Sequence, residues 1–452
     1  MKKLVTVALM LIVATAALAE FDGGFKVRFR HEMGTVGTSY DADSQTFKRA
    51  VDFRFRPWFG YKVNDMLSVK WQGEIGDSYF GNPSDGTGVA TDGKTFETKH
   101  LYMDVKPSKE MSIRLGLQGY ADPHSIVFDD DIAGVNFGYK MDQMKLVLGW
   151  FVPYDGGESN KNEETWSFGQ SMFAADFGYE VQKGMNVGLN AIFVISSIDE
   201  YFMDIQDEDG NMVSTNIVPE GNTWKTTSMY FSPNFQGDFG MFNVNTQFTY
   251  FMASHEFESL TDEDAEDFYD DDTDSGMAFS LKAGVKATDE LGIRLNFLYL
   301  SSDDKGEEYY MPTQFPDKNM EYKSRWFPSS GLEILTSSGA PDGMAVVSPY
   351  GQGPAGLMFP AIFADYMINK ELTVSLGLGF GMTMEDVSYL KDGEEETDTM
   401  LGTEVDLKAN WKLFDKLKAV PYAAFLLPGN ALSKTDKTDM QMKVGMTLHL
   451  GM

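Results

Sequence analysis

The sequence predicts an all-β fold, a transmembrane antiparallel up-and-down β-barrel of about 18 strands. Three observations carry that prediction. Residues 25–33 read Phe-Lys-Val-Arg-Phe-Arg-His-Glu-Met, in which odd positions are mostly apolar and Lys26, Arg28, Arg30 and Glu32 stand between them. Such a strand suits a wall with lipid on one side and water on the other. Segments of about ten residues recur along the chain, separated alternately by tight turns and long connections, as in barrels of this kind. After Ala19 no stretch reaches the roughly 18 consecutive apolar residues of a membrane-spanning helix, so membrane residence requires a barrel.

The elements follow in order. Lys2 and Lys3, the apolar run 4–18 and the small-residue site Ala17-Leu18-Ala19 predict a signal peptide over 1–19, leaving 20–452 as one barrel domain. The strand at 25–33 leads through a connection at 34–45 to a second, whose charged face is Asp52, Arg54 and Arg56. A tight turn at 63–67 opens the third, where Leu67, Val69, Trp71 and Ile75 alternate with Ser68, Lys70, Gln72 and Glu74. Beyond a connection at 77–94 and a turn at 107–110, Met111, Ile113, Leu115 and Leu117 alternate with Ser112, Arg114, Gly116 and Gln118. Further tight turns fall at 141–143, 182–185, 238–240, 288–291, 368–372 and 414–417, each restarting a strand after a polar or glycine-bearing pair. Long connections separate them at 119–130, 154–165, 197–222, 253–275, 301–355, 383–398 and 428–438.

Eight turns and nine long connections give 18 strands, and the count falls to 16 if one weaker hairpin is not formed. Segments 166–180 and 223–237 are apolar on both faces in places, so alternation leaves their phase open. Trp71, Trp150, Tyr299 and Trp411 fall on outward faces, where they suit interfacial girdles.

Composition narrows the function. With no cysteine in 452 residues there is neither a disulfide nor a thiolate metal site, so ladder hydrogen bonds and packing must hold an exported chain together. A net charge of −31 argues against nucleic acid as a partner, because phosphate demands a basic footprint. The histidines, at 31, 100, 124, 255 and 449, form no pair at metal-ligand spacing, and no nucleophile elbow or phosphate-cradling loop occurs. No enzyme, cofactor or metal site is therefore expected.

The informative constellation is basic. Lys26, Arg28, Arg30, Arg54, Arg56, Lys70 and Arg114 all share the inward parity of strands 1, 2, 3 and 5, together with Glu74, and form the expected pore-lining set. Stacked on one arc of a confined channel, they lower the barrier to an anion. The alternative is that Asp52, Glu32 and Glu74 neutralise them into a rigid lumen network. Two connections differ from the rest. The acidic one at 253–275 lacks the mid-loop glycine and terminal glutamate of a calcium loop and reads as a solvated external loop, weak binding of divalent cations being the alternative. The longest, 301–355, is expected to fold into the bore.

The stretch Val-Asp-Phe-Arg-Phe-Arg-Pro-Trp-Phe-Gly-Tyr-Lys-Val-Asn-Asp at 51–65 and the strand at 67–77 resemble Gram-negative outer-membrane porins. Within these they are most similar to the 18-stranded substrate-specific and alginate-export-like barrels. The resemblance covers the mature chain in architecture but only about the first 120 residues in motif. It implies pore arginines that guide anionic solutes, at Arg28, Arg30, Arg54, Arg56 and Arg114. Barrels of this class usually end in an aromatic residue, whereas this chain ends His449-Leu450-Gly451-Met452 with its alternation intact. The expectation is a passive outer-membrane channel for small, anionic, hydrophilic solutes, set in outer-membrane lipid and lipopolysaccharide, with a homo-oligomer left open. A non-conducting barrel serving as surface scaffold, adhesin or sheath is the alternative, and a soluble periplasmic binding protein a third.

Overall fold

The computed structural model describes residues 20–38, 41–80, 96–153, 170–206, 212–259, 272–302, 315–316, 322–323, 331–336, 355–432 and 439–451. The stretch 1–19 expected to be a signal peptide, most of the acidic connection and most of 301–355 lie outside the described residues.

The strands are β1 (Glu20–Thr38), β2 (Asp41–Asn64), β3 (Leu67–Tyr79), β4 (Phe96–Val105), β5 (Met111–Ala121) and β6 (Asp129–Met141). They continue as β7 (Met144–Val152), β8 (Gln170–Gln182), β9 (Met185–Gln206), β10 (Met212–Asp238), β11 (Phe242–Ser259) and β12 (Asp272–Lys286). The last six are β13 (Leu291–Leu300), β14 (Leu357–Asn369), β15 (Leu372–Lys391), β16 (Glu394–Phe414), β17 (Leu417–Pro428) and β18 (Gln441–Gly451). Each pairs antiparallel with its chain neighbours in one 18-stranded sheet, and β1 pairs with β18 from Lys26↔Gly451 to Thr35↔Met442, which closes the barrel. The count is therefore 18, and all eight tight turns fall where alternation restarts.

Closure leaves no unpaired edge, and the pleat divides the side chains between two faces. Outward Trp150, Leu407 and Trp411 are 48%, 51% and 47% exposed, while inward Phe151 and Asp406 are 0% and 3% exposed. Such an apolar outer belt is covered by lipid rather than by protein. Trp71 shares it with Phe59 and Phe96, at ring-centroid distances of 4.9 and 5.8 Å.

The structure corrects the sequence reading in two places. Connections expected at 34–45, 197–222 and 383–398 are largely strand, and so are the described ends of the one at 253–275, because β1, β2, β9, β10, β11, β12, β15 and β16 run into them. Alternation ends where the apolar belt ends, whereas a hydrogen-bond ladder needs no apolar side chain and continues beyond it. The last of these connections is a hairpin closed by Asp392 and Gly393, whose φ values of 52° and 86° match a two-residue type I′ turn.

Nor is the lumen polar throughout. Ile132, Phe151, Met172, Ile192, Val194, Phe251 and Leu298 are inward and buried, packed with Ile126, Val127 and Phe128 of the segment after β5. Strands around this side therefore carry apolar residues on both faces, which is why 166–180 gave no phase.

Leu115 tests the face assignment. It is outward, paired with Met103 and Val135, while Arg114 beside it points inward to Asp104. Leu115→Arg is expected to cost about 2 to 4 kcal/mol near the bilayer midplane, and Leu115→Phe almost nothing. Reversible denaturant unfolding in lipid measures both; equal stability of the two variants would mean that the faces are reversed.

Candidate functional site

The predicted basic arc forms where β1 meets β2. Register places Lys26 opposite Arg56, Arg28 opposite Arg54 and Arg30 opposite Asp52, so like charges face each other across the ladder. Two buried carboxylates relieve the repulsion. Asp52, 0% exposed, accepts from Arg28 Nη2 at 3.0 Å and Arg30 Nε at 2.6 Å. Glu74 pairs with Arg54 at 3.5 Å and with Arg56. Four guanidinium groups thus share two carboxylates, and the arc keeps a positive excess, with Lys26 beside it. Arg30 also approaches Glu32 at 3.9 Å.

The other predicted residues stand apart from this group. Arg114 makes a bidentate pair with Asp104, at 2.7 and 3.1 Å, and lies 4.1 Å over the Tyr102 ring. Lys70 stands 5.4 Å over Trp58.

Lys26, Arg28, Arg54 and Arg56 open into a cavity of about 780 Å³ at the short-turn end. Lys370, Lys412, Lys416, Lys418 and His449 join them in its lining, with Thr373 and Asn410, against only two carboxylates, Glu371 and Asp415. Arg30, Lys70, Glu74 and Arg114 are not part of this lining. The sequence reading missed the second set of lysines, which belong to turns and strand ends more than 300 residues from β1. Only the β1–β18 closure brings them to the arc. Nothing in alternation could place Lys370 or Lys416, since turn residues have no parity.

Two segments fold into the bore. In 122–128, the Asp122 carboxylate accepts the backbone N–H groups of Ile126, Val127 and Phe128 at 3.1, 2.8 and 2.9 Å. The resulting knot reaches across to β11 and β12, where His124 meets Asn245 through Nε2 at 2.8 Å and Ser280 through Nδ1 at 2.9 Å. Gln247 adds two bonds, accepting from the His124 N–H at 3.0 Å and donating to Asp122 at 2.8 Å.

The second segment is 331–336, the part of the longest connection that the structure describes within the lumen. Glu404, on the inward face of β16 and 0% exposed, accepts the N–H groups of Glu333, Ile334 and Leu335, each at 2.7 Å. Asp406 accepts the Glu333 N–H as well, at 3.1 Å. The Glu333 carboxylate pairs with Lys408, and its carbonyl accepts from Lys443 Nζ at 3.1 Å. Gly379 leaves room for Leu332, since an added Cβ would lie 2.8 Å from Leu332 Cδ1.

Burial holds the His124 imidazole below its usual range, with nearby Lys282 acting in the same direction and Asn245 and Asp122 opposing. A lowered value means that the released segment binds protons more readily than the docked one. Docking is thus at full strength above about pH 6.5, the free imidazole value, and weakens as pH falls below it. Protection of the 124–128 amides, measured relative to intrinsic exchange rates, is expected to fall between pH 7.5 and pH 5 and to lose that dependence in His124→Gln. Equal protection at both pH values in the parent would refute the linkage.

The fold and its lumen define the class, a closed 18-stranded barrel with inward-folded segments and a basic vestibule. No family model and no curated protein matches the chain. Among solved structures, Pseudomonas aeruginosa OccK8 (OprE) aligns with a TM-score of 0.52 and 12% identity, over 96% of this chain and 98% of that one. Pseudomonas aeruginosa OpdO aligns at 0.50 and 9%, over 96% and 97%. At such identities the likeness is one of fold.

Proposed function

We propose that the chain is a non-enzymatic outer-membrane channel through which small, anionic, hydrophilic solutes diffuse passively. The carrying observation is the vestibule of about 780 Å³, with eight lysine and arginine side chains and two carboxylates in its lining. In a narrow, low-dielectric bore such an excess is poorly screened and concentrates anions at the short-turn mouth. By analogy with barrels of this architecture, the short turns face the periplasm and the long connections the outside. Planar-bilayer recording tests the proposal. Single-channel steps with a reversal potential on the anion side in a salt gradient are expected, and cation preference would overturn the anionic reading.

A second reading has its own observation. Leu332, Ile334 and Leu335 are 0% exposed, as are Ile126 and Val127, so both inward segments are packed rather than loosely draped. That favours a barrel closed to ions and used as a surface scaffold, for which no conductance steps are expected.

A further inference from the structure

In a closed ring of 18 strands, β10 lies diametrically opposite β1. The wall facing the basic arc is therefore built by β9, β10 and β11, and near their short turns its inward positions are dominated by carboxamides. Cross-strand register sets Gly188, Asn234 and Gln247 in one row and Asn186, Gln236 and Asn245 in the next. Neither row holds a charge on these three strands; the second continues into Lys282 on β12 and into Glu180 on β8. Asn243 stands one pleat nearer the turn, paired with Gly284 on β12 and with Asp238 on β10.

The two ends of this wall have different work. Gln247 and Asn245 anchor the 122–128 segment through His124 and Asp122. Below that anchor Asn186, Gln236 and Asn243 are exposed, and Asn234 is half-buried. Glycine makes room for them: a Cβ added at Gly188 or Gly284 would strike the amide of Asn234 or Asn243.

We infer that this amide wall is a second recognition surface, which favours anions bearing several hydroxyl groups over apolar anions of similar size. The inference rests on the proposed anionic reading, because the opposite arc takes the charged end of the solute. A carboxamide both donates and accepts, so it can replace the water around a hydroxyl whichever way that group turns. An alkyl chain pressed on the same wall strips water from the amides and returns no hydrogen bond. Cations on one wall set the charge preference, and amides on the other set the preference for hydroxyl groups.

Gluconate and hexanoate are the test pair, each measured against chloride by reversal potentials in bilayers. The parent channel is expected to favour gluconate over hexanoate by more than their free-solution mobilities allow. Asn186→Leu/Gln236→Leu/Asn243→Leu is expected to lower that ratio by about threefold or more, with the chloride-to-potassium ratio unchanged. Asn186→Gln/Gln236→Asn/Asn243→Gln, which keeps the amides, is expected to retain it. Heat-modifiable gel mobility checks that each variant is a folded barrel.

Liposome swelling in sorbitol and in 1,6-hexanediol separates the two readings. If the charge selectivity fails but the leucine variant lowers sorbitol entry relative to hexanediol, the amide wall stands and the anionic reading falls. An unchanged ratio for both pairs overturns the inference.

Discussion

Glu404→Ala is expected to release 331–336 from the lumen wall. One buried carboxylate accepts three consecutive backbone N–H groups at 2.7 Å, and each bond to a charged acceptor contributes roughly 1.5 to 3 kcal/mol. These contributions are not additive, since removing Glu404 also removes the cost of burying its charge and leaves Asp406 within reach of the Glu333 N–H at 3.1 Å. A net loss of roughly 3 kcal/mol is expected, equivalent to about a 100-fold rise in the released population. The chain has no cysteine, so Ile334→Cys supplies a single reporter at a position that is 0% exposed. Its reaction with a water-soluble maleimide is expected to accelerate by that factor when Glu404→Ala is added, and single-channel conductance to rise with it. Unchanged labelling in a correctly assembled barrel would show that the apolar contacts of Leu332 and Leu335 hold the segment without the carboxylate.

Reversing the charge of Arg54 and Arg56 together is expected to change the sign of the proposed channel's selectivity. Both guanidinium groups line the vestibule, and both lean on Glu74. Glutamate at these positions removes two positive charges, adds two negative ones and strands Glu74 without its cations. The reversal potential in a salt gradient should move from anion to cation preference at 0.1 M and much less at 1 M, because the Debye length falls from about 10 Å to about 3 Å. Unpairing buried Glu74 also threatens folding. Lys370→Glu/Lys416→Glu therefore serves as a companion, altering the same cavity from its turns with no buried partner to strand. An unchanged potential in both variants would sink the basic-filter reading.

How much of this was legible depends on what each residue needs in order to be recognised. Alternation gave the closed barrel, its eight turns, the outward face of Trp411 and the inward face of Arg54, because parity is a local property of two neighbouring residues. The pairing of the arc could also be anticipated, since Asp52 and Glu74 share the parity of their arginines. The inward segments could not. Asp122 and Glu404 resemble any polar residue of a turn or a lumen wall; their role as acceptors for a folded-back backbone exists only once Phe128 or Leu335 has reached them. Lys70 and Arg114 share the arc's inward parity but lie outside the lining of the vestibule, for a related reason. Shared parity puts a residue inside the barrel, but its height in the bore depends on strand tilt and stagger.

By itself the sequence determined which side of the wall most strand residues face, where the tight turns fall and, to within one hairpin, how many strands close the ring. Those properties follow from a two-residue period and from turn chemistry, both of which act over a few bonds. Tertiary structure alone decided which charges stand together and what fills the bore. Lys26 and Lys416 share a cavity because β1 closes against β18, and 331–336 lies in the lumen because carboxylates and apolar residues more than 60 positions later receive it. Such contacts are set by ring closure and by the burial of backbone N–H groups, and no local pattern encodes either.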